Sequence, residues 1–185
     1  MIKDLVDNND IILKQQMPKF DFSDGQLNPV SVYTDLAETM IHNSGVGLAA
    51  NQIGIRTQAF VLTGVDVLGV FNPRIVDVSD ETILLEEGCL SYTNLFVKIK
   101  RPKKIKARFT LPNGETVTRT FDGLTARAFQ HEMDHLNGVV YTSRSNRYHL
   151  DQAKKLVKKI QRKYPIKPYS ELSDEAKEML DWLKT

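Results

Sequence analysis

The chain has a single cysteine in 185 residues, Cys89, which excludes an internal disulfide and points to a reduced compartment. It lacks any apolar run near the ~20 residues that a membrane-spanning helix needs, so no membrane contact is expected. It also lacks strong charge of either sign. The net charge is +2, too small to demand nucleic acid, and no DNA partner is expected. The N-terminus carries Asp4, Asp7 and Asp10 without a cationic-then-apolar pattern, so neither a secretory signal nor a transit peptide is visible. Internal repeats and low-complexity tracts are missing as well. What remains is the composition of an ordinary globular protein, long enough to bury a core as one domain, with a cytoplasmic location expected.

Against these absences stands one dense run, Gln130-His131-Glu132-Met133-Asp134-His135. Two histidines four apart share one face of a helix, where both imidazoles can reach a single metal ion. Glu132 between them lies near that face, close enough to exchange protons with a water held there. Cys89, in Glu87-Gly88-Cys89-Leu90-Ser91, is a candidate third ligand; the alternative is a small buried hydrophobe, which most free cysteines are. Gly88 beside it permits close backbone approach. A third segment, Gly45-Val46-Gly47-Leu48-Ala49-Ala50-Asn51-Gln52, reads either as a flexible turn or as a thin wall along which a substrate backbone could lie. In the second reading Gln52 presents an amide donor to a developing oxyanion.

Periodicity places these motifs. Residues 18–29 read as a surface loop, and Asn28-Pro29 as the capped start of a helix with Val32, Leu36 and Met40 on its apolar face, stopping near Gly45. Short strands are expected at residues 59–62, 67–71, 75–78 and 82–85. A hairpin is expected from residues 104–109 and 116–121, joined by Pro112-Asn113-Gly114. Asp122-Gly123 opens the histidine helix and Asn137-Gly138 closes it. Beyond it, Leu150, Ala153, Val157 and Ile160 form an amphipathic face with Lys154, Lys155, Lys158 and Lys159 opposite. Pro165 and Pro168 interrupt this pattern, and Ser173 caps a short final helix through Ala176, Leu180 and Leu183. The fold class expected is α+β: short antiparallel β-sheets packed around a central helix that carries the His-Glu-x-x-His motif, with a C-terminal helix.

Together the three motifs resemble the signatures of the peptide deformylase family, in order and without a broken position. The resemblance runs through Asn72-Pro73 and Arg101 and covers roughly residues 28 to 145. It implies a catalytic domain over residues 1–147, with 148–185 a helical extension of the same domain. It implies metal ligation by Cys89, His131 and His135 with an open fourth position, Fe(II) as the preferred ion, and Zn, Ni or Co as substitutes. The implied reaction removes the N-formyl group from the formylmethionine of a new polypeptide and releases formate. Glu132 would carry the proton, and Gln52 and the backbone N–H of Leu90 would meet the developing oxyanion. Glu87 and Arg101 would pair behind the cysteine loop.

The substrate would lie extended along Gly45, Gly47 and Gly88, with its methionine in a pocket of Val46, Leu124 and Ala128. Backbone-dominated recognition implies little dependence on the second and third substrate residues. The chain departs from the family after Ser91, where Tyr92 and Phe96 are expected to add apolar contact at the groove rim. Positive charge at residues 98–108 and 144–167 reads as a solvated face or, as the family suggests, a ribosome contact through the basic C-terminal helix. His42 and His149 read as ordinary surface residues. Two rival classes fit less well. A zinc endopeptidase of the thermolysin type would want a downstream third ligand, and an inactive metal-binding protein would have no use for both Glu132 and Gln52.

Overall fold

The computed structural model describes residues 1–163 together with Ser173 and Asp174. The expected proline break and final helix lie outside the described residues. Helix α1 (Pro29–His42) begins as its sequence dictates. The Asn28 side chain accepts hydrogen bonds from the backbone N–H groups of Val30 and Ser31, and Pro29 fills the first turn, where its missing donor costs nothing.

Strands β1 (Gly47–Ala49), β2 (Ala59–Leu62), β3 (Leu68–Val78), β6 (Lys104–Thr110) and β7 (Thr116–Asp122) form one antiparallel sheet in the order β1-β2-β3-β6-β7. Among the described residues β4 (Thr82–Cys89) and β5 (Tyr92–Pro102) pair only with each other, as a two-stranded ribbon. Helices α2 (Gly123–Leu136) and α3 (Arg147–Lys163) complete the described fold. It is α+β with two sheets.

Strand β2 explains the layering. All four of its residues are buried, and they alternate. Phe60 and Leu62 pack with Phe109, Ala126 and Phe129 on the α2 side, while Ala59 and Val61 pack with Leu36, Met40 and Phe71 on the α1 side. The large sheet is therefore sandwiched between two helices. Phe60 and Phe129 meet edge to face with ring centroids 5.0 Å apart, which fixes how α2 lies on the sheet.

Three expectations change. The strands expected at 67–71 and 75–78 are one long strand, β3, which starts at Leu68 and whose pairing with β6 is irregular around Asn72 and Pro73; Asn72 adopts φ +48. The stretch after Ser91, with Tyr92 and Phe96 expected at the groove rim, is strand β5. Tyr92 consequently turns away from the groove: its ring packs 5.8 Å from Tyr141 and its hydroxyl donates to the carbonyl of Asn8. His149 is half-buried rather than a surface residue, and its Nδ1 is enclosed without a partner.

Candidate active site

The site forms where α2 passes beneath β1 and the end of β4. One face of α2 is apolar, with Ala126, Phe129 and Leu136 on the sheet. The other buries polar groups: Arg127, His131, Asp134 and His135 are all less than a tenth exposed. Cys89 arrives from the last position of β4. The ligand atoms of Cys89, His131 and His135 all lie within 4.8 Å of one another, with Cys89 Sγ 3.2 Å from His135 Nε2. That grouping could hold one metal ion.

A buried ionic cluster sets the orientation of this trio. The two Glu87 oxygens take Arg101 Nε at 2.6 Å and Arg101 Nη2 at 2.8 Å, a bidentate pair. Arg127 Nη1 donates to the same carboxylate at 2.5 Å and to the carbonyl of Ile99, while Nη2 reaches the carbonyl of Ile83. His131 Nδ1 lies 3.1 Å from Glu87 Oε2. With Nδ1 donating to the carboxylate, Nε2 is the ring nitrogen left for the site, and an ion binding there would take the place of its proton. Asp134 accepts from Arg101 at 2.9 Å and from the half-exposed Arg144 at 2.6 Å. The expected pairing of Glu87 with Arg101 is thus one edge of a larger network.

The charges show what the site demands. Burial pulls the His131 imidazole down, but hydrogen bonds with Cys89 and Glu87 and the charge of Glu132 outweigh it and lift the group to about 10. Burial is the main force that drives His135 well down, and the positive charges of His131 and Arg101 add to it. Burial likewise raises the Glu132 carboxyl to about 7 against the pull of the His131 and Arg101 charges. A thiol, two imidazoles and two carboxylates crowded out of water call for a cation, and a soft-plus-imidazole donor set suits a divalent transition metal. Glu132 Oε2 is buried with no hydrogen-bond partner, a polar atom left available for chemistry.

The remaining expected residues converge on one cleft of about 770 Å³. Gly45, Val46, Gly47 and Gln52 form one side, Gly88, Cys89 and Leu90 the other, and Leu124, Ala128, His131 and Glu132 line it from α2. Gly47 is glycine for a steric reason: a Cβ there would collide with the Glu132 carboxylate. Gln52 is buried in a short 3-10 helix, where its Oε1 accepts from the Ala49 N–H at 2.9 Å. Its Nε2 lies 3.0 Å from Ser91 Oγ and 3.6 Å from Cys89 Sγ. The amide is therefore held with its N–H₂ end toward the cysteine. Arg101 and His135 sit behind the cleft wall.

Sequence reasoning missed four contributors: Arg127, Asp134, Arg144 and Ser91. It also missed Tyr141, whose buried ring lies 5.5 Å from that of His131. Asp134 and Ser91 stand inside the motifs themselves, so their positions carried a signal; the two arginines offered none beyond their charge.

A His-Glu-x-x-His helix with a thiol and a buried glutamate defines a metal-dependent hydrolase. The comparisons narrow this class. Residues 2–151 match the family model described as polypeptide deformylase. The peptide deformylase of Thermotoga petrophila is 43% identical over 135 residues, covering 72% of this chain and 80% of that protein. The crystal structure of peptide deformylase from Ehrlichia chaffeensis superposes with TM-score 0.75 at 31% identity, over 90% of this chain and 100% of that one. A class I type b peptide deformylase from Acinetobacter baumannii, solved with Met-Ala-Ser bound, gives 0.73 at 28% identity over 78% and 98%. The chain belongs to the peptide deformylase family, metal-dependent enzymes that hydrolyse the N-formyl group from the formylmethionine of newly made polypeptides and release formate.

Proposed function

We propose that Cys89, His131 and His135 hold one divalent ion, Fe(II) in the cell, with Zn, Ni or Co as substitutes. The observation that carries this reading is the clustering of their three ligand atoms at the wall of the cleft. When bound, the ion supplies a Lewis acid that lowers the pKa of water toward neutrality. Everything else falls to side chains and backbone.

Among the described residues strand β1 pairs only with β2, and β4 only with β5, so each presents an outer edge. An extended peptide would fit between these edges, bonding through its backbone to Gly45–Gly47 and to Gly88. The methionine side chain would enter the apolar space of Val46, Leu124 and Ala128 beside the His131 ring. The Acinetobacter baumannii relative was solved with Met-Ala-Ser bound, a peptide that begins with methionine.

With the formyl group so placed, water attacks its carbon as Glu132 accepts a proton. A carboxyl raised to about 7 is poised for that exchange. Negative charge grows on the formyl oxygen, where the Gln52 Nε2 amide and the Leu90 backbone N–H would donate to it. The carbon–nitrogen bond breaks, Glu132 returns the proton to the leaving α-amine, and formate departs. Glu87 and Arg101 act indirectly, by fixing His131 and the Cys89 strand.

The test uses protein prepared anaerobically with Fe(II) and formyl-Met-Ala-Ser, measuring formate and free amine. Glu132→Gln should retain the metal and lose turnover by 10²-fold or more, on the order expected for a lost proton carrier. Retained turnover would remove Glu132 from this role.

Residues 148–185 are proposed to extend the catalytic domain of residues 1–147, and the cytoplasm to be its location. No helix among the described residues is long and apolar enough to cross a membrane. Helix α3 packs its Ala153 against Val97 and Ile99 of β5 and presents Lys155, Lys158, Lys159 and Arg162 outward. We propose that this basic face contacts the ribosome near the emerging chain. Reversing the three lysines to glutamate should weaken ribosome co-sedimentation, most at low salt, with turnover of small peptides kept. Unchanged co-sedimentation would reject the contact.

A further inference from the structure

The β4–β5 ribbon has two unlike faces. Toward α2 and α3 it buries Glu87, Val97, Ile99 and Arg101, while Phe96, Lys98 and Lys100 are exposed on the other side. Phe96 and Gly88 are neighbours across the ribbon, beside the Glu87–Val97 pair. The aromatic ring fills the space that a side chain at position 88 would need: a Cβ there would lie 2.6 Å from Phe96 Cε1. Glycine at 88 thus lets Phe96 lean over the β4 backbone at the strand edge that borders the cleft. The ring lines that cleft and is 61% exposed among the described residues.

A peptide lying extended between the β1 and β4 edges alternates its side chains. With the methionine directed inward to the α2 side, the next side chain points to the outer face, where Phe96 stands. We propose that Phe96 is a specificity-determining residue, favouring formylated peptides with an aromatic or large aliphatic side chain immediately after the methionine. Glu86, also on the cleft, disfavours an acidic residue at the same position. The proposal rests on the deformylase reading and on the extended pose given above. It replaces the expected indifference to the second residue, because backbone pairing alone takes no account of an aromatic wall at the strand edge.

The experiment measures kcat/KM of the full metal-loaded chain on formyl-Met-Xaa-Ser peptides, with Phe, Leu, Ala or Asp as Xaa. Phe and Leu should exceed Ala by about tenfold, the scale of one added apolar contact, and Asp should rank last. Phe96→Ala should bring the Phe-to-Ala ratio near unity. Phe96→Leu should keep the preference for Leu and reduce that for Phe. A flat panel in the unsubstituted protein, or a preference that survives Phe96→Ala, overturns the proposal alone. Absence of turnover on every peptide overturns the deformylase reading and the proposal with it.

Discussion

The two sheets of this molecule are held in opposite ways. The five-stranded sheet is sandwiched between α1 and α2 by apolar burial, with Phe60, Phe109 and Phe129 packed in a dry layer. The β4–β5 ribbon is tied to α2 by a buried carboxylate, two guanidiniums and an imidazole. Apolar packing tolerates small shifts of its parts, whereas paired charges in a low dielectric fix distance and angle. The ribbon is the element that carries Cys89. The ionic attachment therefore falls where ligand geometry matters, and the greasy one where bulk stability does.

The sharpest way to break this contrast is a pair of substitutions. Glu87→Ala leaves Arg101 and Arg127 buried without their shared partner and frees His131. We expect a loss of about 3–5 kcal/mol in chemical denaturation, together with a 10–100-fold loss in metal affinity by competition titration. Phe129→Ala should cost a similar 3–5 kcal/mol while leaving the affinity of the folded fraction within about twofold. Equal effects of both substitutions on metal binding would erase the distinction.

A smaller effect separates the two attachments by pH. Burial alone would raise the Glu87 carboxyl, yet the Arg101 and His131 contacts win and hold it at about 2, below its ordinary 4.5. A depressed carboxyl gives stability that is full above about 4.5 and is lost as pH falls through about 2, here worth about 3 kcal/mol. Denaturation midpoints recorded between pH 6 and 2 should fall accordingly, and Glu87→Gln should flatten that limb. A limb unchanged by Glu87→Gln would place the acid sensitivity elsewhere.

The same contrast explains what could be read from the sequence. Apolar attachment writes itself as periodicity: Val32, Leu36 and Met40 on α1, and the alternation of β6 and β7 about Pro112-Asn113-Gly114, are found in the structure where the pattern puts them. The cleft residues were legible because the chemistry constrains their types and spacing within three short motifs. Ionic attachment leaves no such trace. Strand β5 buries Val97 and Ile99 in alternation, but the next buried position is Arg101, so the segment looks like a charge cluster. Arg127 sits on α2 where a surface arginine would look the same, and its partners lie 28 to 44 residues away in sequence. Tyr92, expected at the groove rim together with Phe96, is separated from it by the register shift between the Glu87–Val97 and Cys89–Tyr92 pairs and packs on Tyr141 instead.

The trio of ligand atoms has a consequence for timing. Cys89 and His135 are 46 residues apart and belong to different layers, one at the end of a local hairpin and one on a helix that must first dock on the large sheet. A growing chain that has finished β5 already displays its thiol but has neither His131 nor His135 to share the load. Metal capture must therefore wait until α2 has docked beside the ribbon, and until then the sulfur stands open to oxygen. Uptake of the ion thus reports the docking of α2 against the ribbon, not the closing of the hairpin alone.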